Sequence, residues 1–193
     1  VLTSTAAAFG RHAAPLSEQT PSSAATSWVN YERSKWLAEE EVRRGVRDGL
    51  PAVIVNPCAV FGPYDISVWG KVFRTIRSGG MVMLPPGQVP VNHAAEVARA
   101  HIAAAERGRS GENYILNGDA EPFARIFREM GRLMGIELRA PVVPGVVFKA
   151  AARLAAGVAA LTGKEPEMTP EMAAILCGAN RVVSDKADRE LGY

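Results

Sequence analysis

The sequence predicts an α/β fold in which a parallel β-sheet packs between helices and a smaller, mainly helical region is added. Short apolar, β-branched segments alternate along the chain with longer segments of helical period, which is the pattern of parallel strands joined by helices. At 193 residues and 48% hydrophobic content, the chain is also long enough to bury the core that such a sheet needs.

The first elements are predicted from polarity and small residues. Residues 1–3 are expected to end a buried strand, 4–10 to form a turn at its carboxyl end, and 11–27 to form a polar loop. A helix is predicted over 28–46, with Gly49 ending it, because apolar and charged residues mix there as on a half-buried helix. Its buried face is expected to carry Tyr31, Leu37 and Val42.

The later elements follow from the same criteria. Residues 52–55 read Ala-Val-Ile-Val, which predicts a strand covered on both faces. The next prediction is an irregular loop containing Pro57, Gly62 and Pro63. Beyond it we expect helices over 67–78, 94–107 (with Val97 and Ile102 on one side), from Pro122 onward (Phe123, Ile126, Phe127, Met130, Leu133), 147–161 and 170–177, and strands over 81–84 and 113–116.

Composition and charge exclude several classes of protein. The net charge is +2 and the basic residues are scattered, so we expect no nucleic-acid partner. Cys58 and Cys177 lie far apart without metal-ligand spacing, which indicates a reducing, cytoplasmic compartment and no disulfide framework. The apolar stretch 140–161 is interrupted by prolines, glycines and basic residues, which argues against a membrane span. The three histidines have no paired ligand spacing, so no metal site is predicted.

Tyr31 and Lys35 form the first candidate for chemistry. They are four residues apart on a predicted helix, so their side chains share one face. A tyrosine works as an acid or base near neutral pH only if its usual pKa of about 10 is lowered, and a nearby ammonium stabilises the phenolate. Lys35 supplies such an ammonium. Taken alone, the pair is equally compatible with an exposed helix surface.

The order of three segments makes the pair specific. Ser-Thr-Ala-Ala-Ala-Phe-Gly at 4–10 is followed by Tyr-Glu-Arg-Ser-Lys at 31–35 and then by Ala-Val-Ile-Val-Asn-Pro-Cys-Ala-Val-Phe-Gly-Pro at 52–63. With these segments the sequence resembles the extended short-chain dehydrogenase/reductase superfamily, also called the NAD-dependent epimerase/dehydratase family, over almost its whole length. The segments Gly-Glu-Asn-Tyr-Ile-Leu-Asn-Gly at 111–118 and Ser-Asp-Lys-Ala-Asp-Arg-Glu-Leu-Gly-Tyr at 184–193 are most similar to the dihydroflavonol-4-reductase-like branch.

The resemblance implies roles for particular residues. Thr5 takes the position of a catalytic Ser or Thr whose hydroxyl donates to a substrate carbonyl, and Tyr31 that of the proton donor or acceptor. Lys35 would assist the tyrosine and hold the nicotinamide ribose. Glu96 takes the acidic position before Val-Ala at the start of a helix. The cofactor-binding residues implied are Lys35, Pro57, Cys58, Ala59 and Val60, with NAD or NADP as the cofactor.

The same resemblance implies a fold and a domain organisation. The chain corresponds to the C-terminal half of a doubly wound parallel-sheet Rossmann-type fold plus a small, mainly helical substrate-binding lobe. Residues 1–66 would form the second half of the NAD(P)-binding domain, and 67–193 mostly the lobe, with 91–117 returning to the Rossmann sheet. The Gly-rich turn that seats a pyrophosphate does not occur in the sequence. We therefore expect these 193 residues alone to be truncated and inactive.

Three functions remain open at this point. The first is hydride transfer between a nicotinamide coenzyme and a carbonyl or secondary alcohol of a small-molecule substrate. The second is nucleotide-sugar epimerisation or dehydration, because Asn56-Pro57 also occurs among sugar epimerases. The third is a non-catalytic NAD(P)-binding protein, which fold alone never excludes. A homodimer is an open alternative to a monomer, and no membrane partner is expected.

Overall fold

The fold is described from a computed structural model, in which residues 1–163, 166, 168–179 and 181–193 are described. The strands are β1 (Leu2–Thr3), β2 (Ile54–Pro57), β3 (Ala59–Phe61), β4 (Gln88–His93), β5 (Asn113–Leu116) and β6 (Ala120–Pro122). The helices are α1 (Asn30–Arg47), α2 (Val68–Arg77), α3 (Ala94–Arg107), α4 (Phe123–Leu133), α5 (Gly145–Thr162), α6 (Pro170–Leu176) and α7 (Lys186–Leu191), with 3₁₀ helices at Ala6–Phe9 and Ala24–Thr26.

The chain divides into two compact units. The first, here the sheet unit, comprises Val1–Pro63, Pro90–Ala120 and Asn180–Tyr193. The second, here the helical unit, comprises Tyr64–Val89 and Glu121–Ala179.

The sheet unit is built on three parallel strands in the order β1-β2-β5. Leu2 pairs with Ile54, and Ile54 in turn pairs with Asn113. Every residue of the central strand β2 is buried, as expected for a strand covered on both faces. One cluster of buried side chains includes Val55 and residues of α3 and α7, and another includes Ile115 and the 3₁₀ helix Ala6–Phe9. The predicted α/β class with a parallel sheet is confirmed.

Helix α3 begins and ends where the sequence predicts. The His93 side chain caps it by accepting a hydrogen bond from the N–H of Ala95 over 3.2 Å. Val97 lies in the core, but Ile102 is 61% exposed, so the prediction that both share one side was wrong. The five-residue spacing between them turns Ile102 away, and small alanines fill the buried face instead.

Helix α1 exposes two of its apolar side chains and buries two carboxylates, contrary to the expected pattern. Tyr31 and Leu37 are 45% and 51% exposed, whereas Glu32 and Glu39 are buried. Periodicity alone assigned the apolar residues to the core. The carboxylates are buried because the surface beneath the helix offers hydrogen-bond donors to both of them.

The helical unit has its own apolar core. Buried side chains of α2 and α4 form one cluster with Leu84, in which the ring centres of Phe123 and Phe127 lie 6.0 Å apart. The predicted strand over 81–84 was wrong, since only Leu84 makes a β-bridge, with Val142. The flanking glycines and prolines leave too few consecutive residues free to form a ladder. Leu133 at the end of α4 is exposed rather than packed.

Helix α5 is long and apolar. It continues without a break through Lys149, Arg153 and Gly157. Among the described helices it is the one that is long and apolar enough to cross a membrane. Of its residues, 17% are buried.

Candidate active site

Thr5 lies at the carboxyl end of β1, where the chain turns into the 3₁₀ helix Ala6–Phe9. Its backbone is extended and its hydroxyl oxygen accepts a hydrogen bond from the N–H of Ala7 over 3.3 Å, as an N-cap residue does. Its carbonyl oxygen accepts a hydrogen bond from Nδ2 of Asn56 over 3.0 Å. The Thr5 side chain is half-buried, and its hydroxyl proton is not used by the capping bond.

Tyr31 and Lys35 lie on the first turns of α1, which packs against the 3₁₀ helices Ala6–Phe9 and Ala24–Thr26. Tyr31 is exposed and Lys35 is half-buried. Within the described part of the chain, neither the phenol nor the ammonium has a hydrogen-bond or ion-pair partner. Both groups are therefore available to an external ligand, and the convergence of Thr5, Tyr31 and Lys35 on one ligand stays a prediction.

Glu32 fixes the start of α1 beside Tyr31. Its carboxylate accepts a hydrogen bond from Ser27 Oγ over 2.5 Å and forms an ion pair with Arg11 Nε over 3.0 Å. Ser27 Oγ also accepts a hydrogen bond from the N–H of Val29. These bonds tie the start of α1 to Ser27 and Arg11, although its N-cap residue Val29 makes no side-chain capping bond.

The segment Pro57–Val60 differs from the predicted irregular loop. Pro57 ends β2, and Ala59 and Val60 already belong to β3, which pairs in parallel with β4. Only Cys58 separates the two strands, and its N–H donates to Oδ1 of Asn92 over 3.0 Å. Proline and glycine signals missed this strand because β3 is three residues long and is held by a distant partner. Binding of a coenzyme by these residues stays a prediction.

A buried group that sequence reasoning missed joins these segments. We call it the Glu39 network, formed by Ser4, Glu39, Arg43, Asn56 and Asn113. Ser4 Oγ and Asn56 Nδ2 donate to Oε1 of Glu39 over 2.5 and 2.6 Å. Arg43 and Asn113 Nδ2 donate to Oε2 over 2.7 and 3.1 Å. The sequence contained one sign of this network. Glu39 follows Lys35 by four residues, and Asn56 and Asn113 lie near the end of one apolar strand and at the start of another.

The remaining polar candidates have structural partners. Glu96 lies in the first turn of α3 and forms an ion pair with Arg99. The histidine rings contact neighbouring backbone or hydroxyl groups, His12 at Phe9 O, His93 at Ala95 N, and His101 at Val97 O and Thr3 Oγ1. Among the residues that the structure describes, no three His, Cys, Asp or Glu side chains cluster as metal ligands.

The sequence is similar to those of several known proteins. The chain is 26% identical over 175 residues to sterol demethylase protein B of Methylococcus capsulatus, covering 85% of this chain and 51% of that protein. It is 29% identical over 171 residues to a 4-hydroxy-2-methyl-3-oxo-4-farnesyl-3,4-dihydroquinoline-1-oxide ketoreductase of Stigmatella aurantiaca, covering 86% and 51%. The chain thus spans about half the length of the curated relatives it matches.

A solved structure and a family model agree with these relatives. The crystal structure of a nucleoside-diphosphate-sugar epimerase from Pseudomonas aeruginosa matches with a TM-score of 0.78 at 32% identity, covering 99% of this chain and 59% of that one. Residues 1–117, which include Thr5, Tyr31, Lys35 and the Glu39 network, match the family model. The chain belongs to the NAD dependent epimerase/dehydratase family.

Proposed function

We propose that the protein transfers hydride between a nicotinamide coenzyme and a carbonyl or secondary alcohol of a small molecule, as a ketoreductase of the dihydroflavonol-4-reductase-like type. The observation that carries the proposal is a pair of polar groups, Tyr31 Oη and Lys35 Nζ, that have no partner among the described residues. They lie on a helix packed against the turn that follows Thr5. The ketoreductase among the relatives supports the direction of reaction.

The chemistry assigned to this chain is proton handling around the carbonyl. A bound NAD(P)H supplies the hydride that reaches the carbonyl carbon. Thr5 donates a hydrogen bond to the carbonyl oxygen as negative charge builds on it. Tyr31 gives its phenolic proton to that oxygen, and the Lys35 ammonium stabilises the phenolate that remains. In the oxidation direction the same groups run in reverse, with the phenolate accepting the alcohol proton.

The residues present fit such a coenzyme at its nicotinamide end. The carboxyl end of β2 leads into Pro57–Val60, and open α/β sheets bind their ligands at carboxyl ends of strands. The Lys35 ammonium carries donors suited to ribose hydroxyls and has no internal partner in the described chain. Burial raises the pKa of the Cys58 thiol to about 12, so this residue presents a neutral thiol and not a nucleophilic thiolate.

The test is an assay of the intact protein against a ketone panel containing dihydroquercetin, acetophenone and ethyl acetoacetate. Loss of NADH or NADPH absorbance identifies the coenzyme and the best ketone. Tyr31→Phe is expected to lower kcat by about 100-fold or more while leaving the coenzyme Kd unchanged. Tyr64→Phe is the matched control, because Tyr64 is 96% exposed and has no described partner. Turnover that persists in Tyr31→Phe would contradict the assignment.

A second candidate is nucleotide-sugar epimerisation or dehydration, favoured by the similarity to the Pseudomonas aeruginosa epimerase. In that reaction hydride leaves and returns to one bound substrate, so no coenzyme is consumed. Incubation with UDP-glucose or dTDP-glucose and a trace of NAD separates the two. A new sugar nucleotide on chromatography without a lasting absorbance change at the nicotinamide band would favour this candidate.

A further inference from the structure

Resting on the proposed function, we propose that Glu39 is a positioning residue that fixes Thr5 relative to the helix carrying Tyr31. It contacts no reacting atom in this scheme. It acts through the hydrogen bonds of the Glu39 network, which connect the end of β1, the middle of α1 and the end of β2.

The network holds Thr5 from two sides. Ser4, the residue before it, donates its hydroxyl to Oε1 of Glu39 over 2.5 Å. Asn56 Nδ2 reaches both that same Oε1, over 2.6 Å, and the carbonyl oxygen of Thr5, over 3.0 Å. Thr5 therefore cannot shift along or across the end of β1 without lengthening a bond to Glu39 or to Asn56.

The helix is held by the same carboxylate. Glu39 follows Lys35 by four residues and Tyr31 by eight, so all three project from one side of α1. Oε2 of Glu39 accepts hydrogen bonds from Arg43 and Asn113. Arg43 also donates to Oδ1 of Asn113 over 2.9 Å. A slide or rotation of α1 relative to the end of β1 would break these directional bonds, so the network fixes the spacing between Thr5 and the helix that carries Tyr31.

A purely structural role would be served more simply by an apolar side chain. Glu39 is 2% exposed, and placing a carboxylate in such surroundings carries a desolvation cost that apolar packing avoids. Apolar contacts tolerate small slides, whereas four hydrogen bonds to one carboxylate specify a single arrangement. Hydride and proton transfer need that precision, because displacements of about 1 Å can cost about 100-fold in rate.

The experiment is a double-mutant cycle in the intact protein with NADPH or NADH and the ketone that it reduces fastest. Glu39→Gln, which keeps the side-chain size, is expected to lower kcat by about 10- to 100-fold. In a Thr5→Ala background the same substitution is expected to lower kcat by less than about 2-fold, because its route of action is already gone. Coenzyme Kd should stay the same in all four proteins.

Two controls separate positioning from stability. Ser4→Ala removes one bond to Glu39 and should lower kcat by a smaller factor, again only when Thr5 is present, which keeps the test valid if Glu39→Gln folds poorly. Tyr114→Phe removes a buried hydroxyl of the sheet unit that donates to Glu190 over 2.7 Å and accepts from the N–H of Arg109. It should lower the melting temperature without changing kcat.

The outcomes are distinguishable. Equal losses of kcat from Glu39→Gln with and without Thr5 would overturn the positioning role while leaving the proposed function intact. An unchanged kcat in both Glu39→Gln and Ser4→Ala would do the same. Thr5→Ala with wild-type kcat would remove the role of Thr5, and the positioning role of Glu39 with it. Absence of ketone reduction by the wild-type protein would instead remove the proposed function.

Discussion

The backbone N–H of Cys58 donates a hydrogen bond to Oδ1 of Asn92 over 3.0 Å, which ties the connection between β2 and β3 to the adjacent strand β4. Nδ2 of Asn92 reaches the hydroxyl of Tyr193 over 2.5 Å, so the amide joins three separate parts of the sheet unit. Cys58 is half-buried there, and burial of its thiol raises the pKa to about 12. The thiol is therefore protonated wherever the fold is intact near neutral pH.

Alkaline pH is expected to destabilise the protein through Cys58. The thiol pKa is 9.0 in the unfolded reference and about 12 in the fold. Because the unfolded state loses its proton first, the stabilisation is complete below about pH 9 and is lost as pH rises toward 12, by up to about 1.4 kcal/mol per pH unit. Urea unfolding at pH 8, 9 and 10 should show the wild-type protein losing more stability than Cys58→Ala. A constant difference between the two would contradict this.

Substitutions of Lys35 and Tyr31 are expected to have different kinetic effects, although the two residues lie on adjacent turns of one helix. Lys35→Met removes both the ammonium that stabilises a phenolate and the donors assigned to the ribose, so kcat should fall and coenzyme Kd should rise. Tyr31→Phe should change kcat alone. Steady-state rates and fluorescence titration with NADH measure both quantities. Lys71→Met, on the exposed surface of α2, is the matched control and should alter neither.

Acid pH is expected to act on Glu112. The hydrogen bond from Lys186, 2.6 Å long, lowers the pKa of this carboxyl. A lowered folded pKa means that the stabilisation is present above about pH 4.5, the usual value for a free glutamate, and is lost as pH falls further. Glu112→Gln should therefore flatten the decline in melting temperature below that pH. Exposed Glu41 on α1 offers a control, since Glu41→Gln should leave the decline as it is.

The order of apolar and polar residues within a segment predicted the elements that depend mainly on that segment. Helix α3 and strand β5 have the predicted bounds because a long alanine-rich segment favours a helix and a short apolar segment after a glycine turn favours a strand. Strands β3, β4 and β6 were missed: β3 and β6 are three residues long, β4 contains Pro90 and polar residues, and the three pair with one another. The Glu39 network was missed for a related reason. Its members are up to 109 positions apart, from Ser4 to Asn113, and only the fold places donors around a buried glutamate.

Gly10 closes the turn after Thr5. Its φ of 78° and ψ of −153° lie in a region that only glycine adopts readily. A Cβ there would lie 2.8 Å from the backbone N of Ala24. Gly10→Ala therefore combines backbone strain with a clash against main chain and should reduce the free energy of unfolding by about 3 kcal/mol.

Gly49 separates the two contributions, because its φ is also positive, at 97°, but nothing lies within 4 Å of the added Cβ. Gly49→Ala should cost only the backbone strain, about 1 kcal/mol. Chemical denaturation measures both losses, and equal losses would show that the contact with Ala24 is relieved by a small shift. Since the turn that Gly10 closes also carries Thr5, Gly10→Ala should lower kcat even in the folded fraction, whereas Gly49→Ala at the far end of α1 should not.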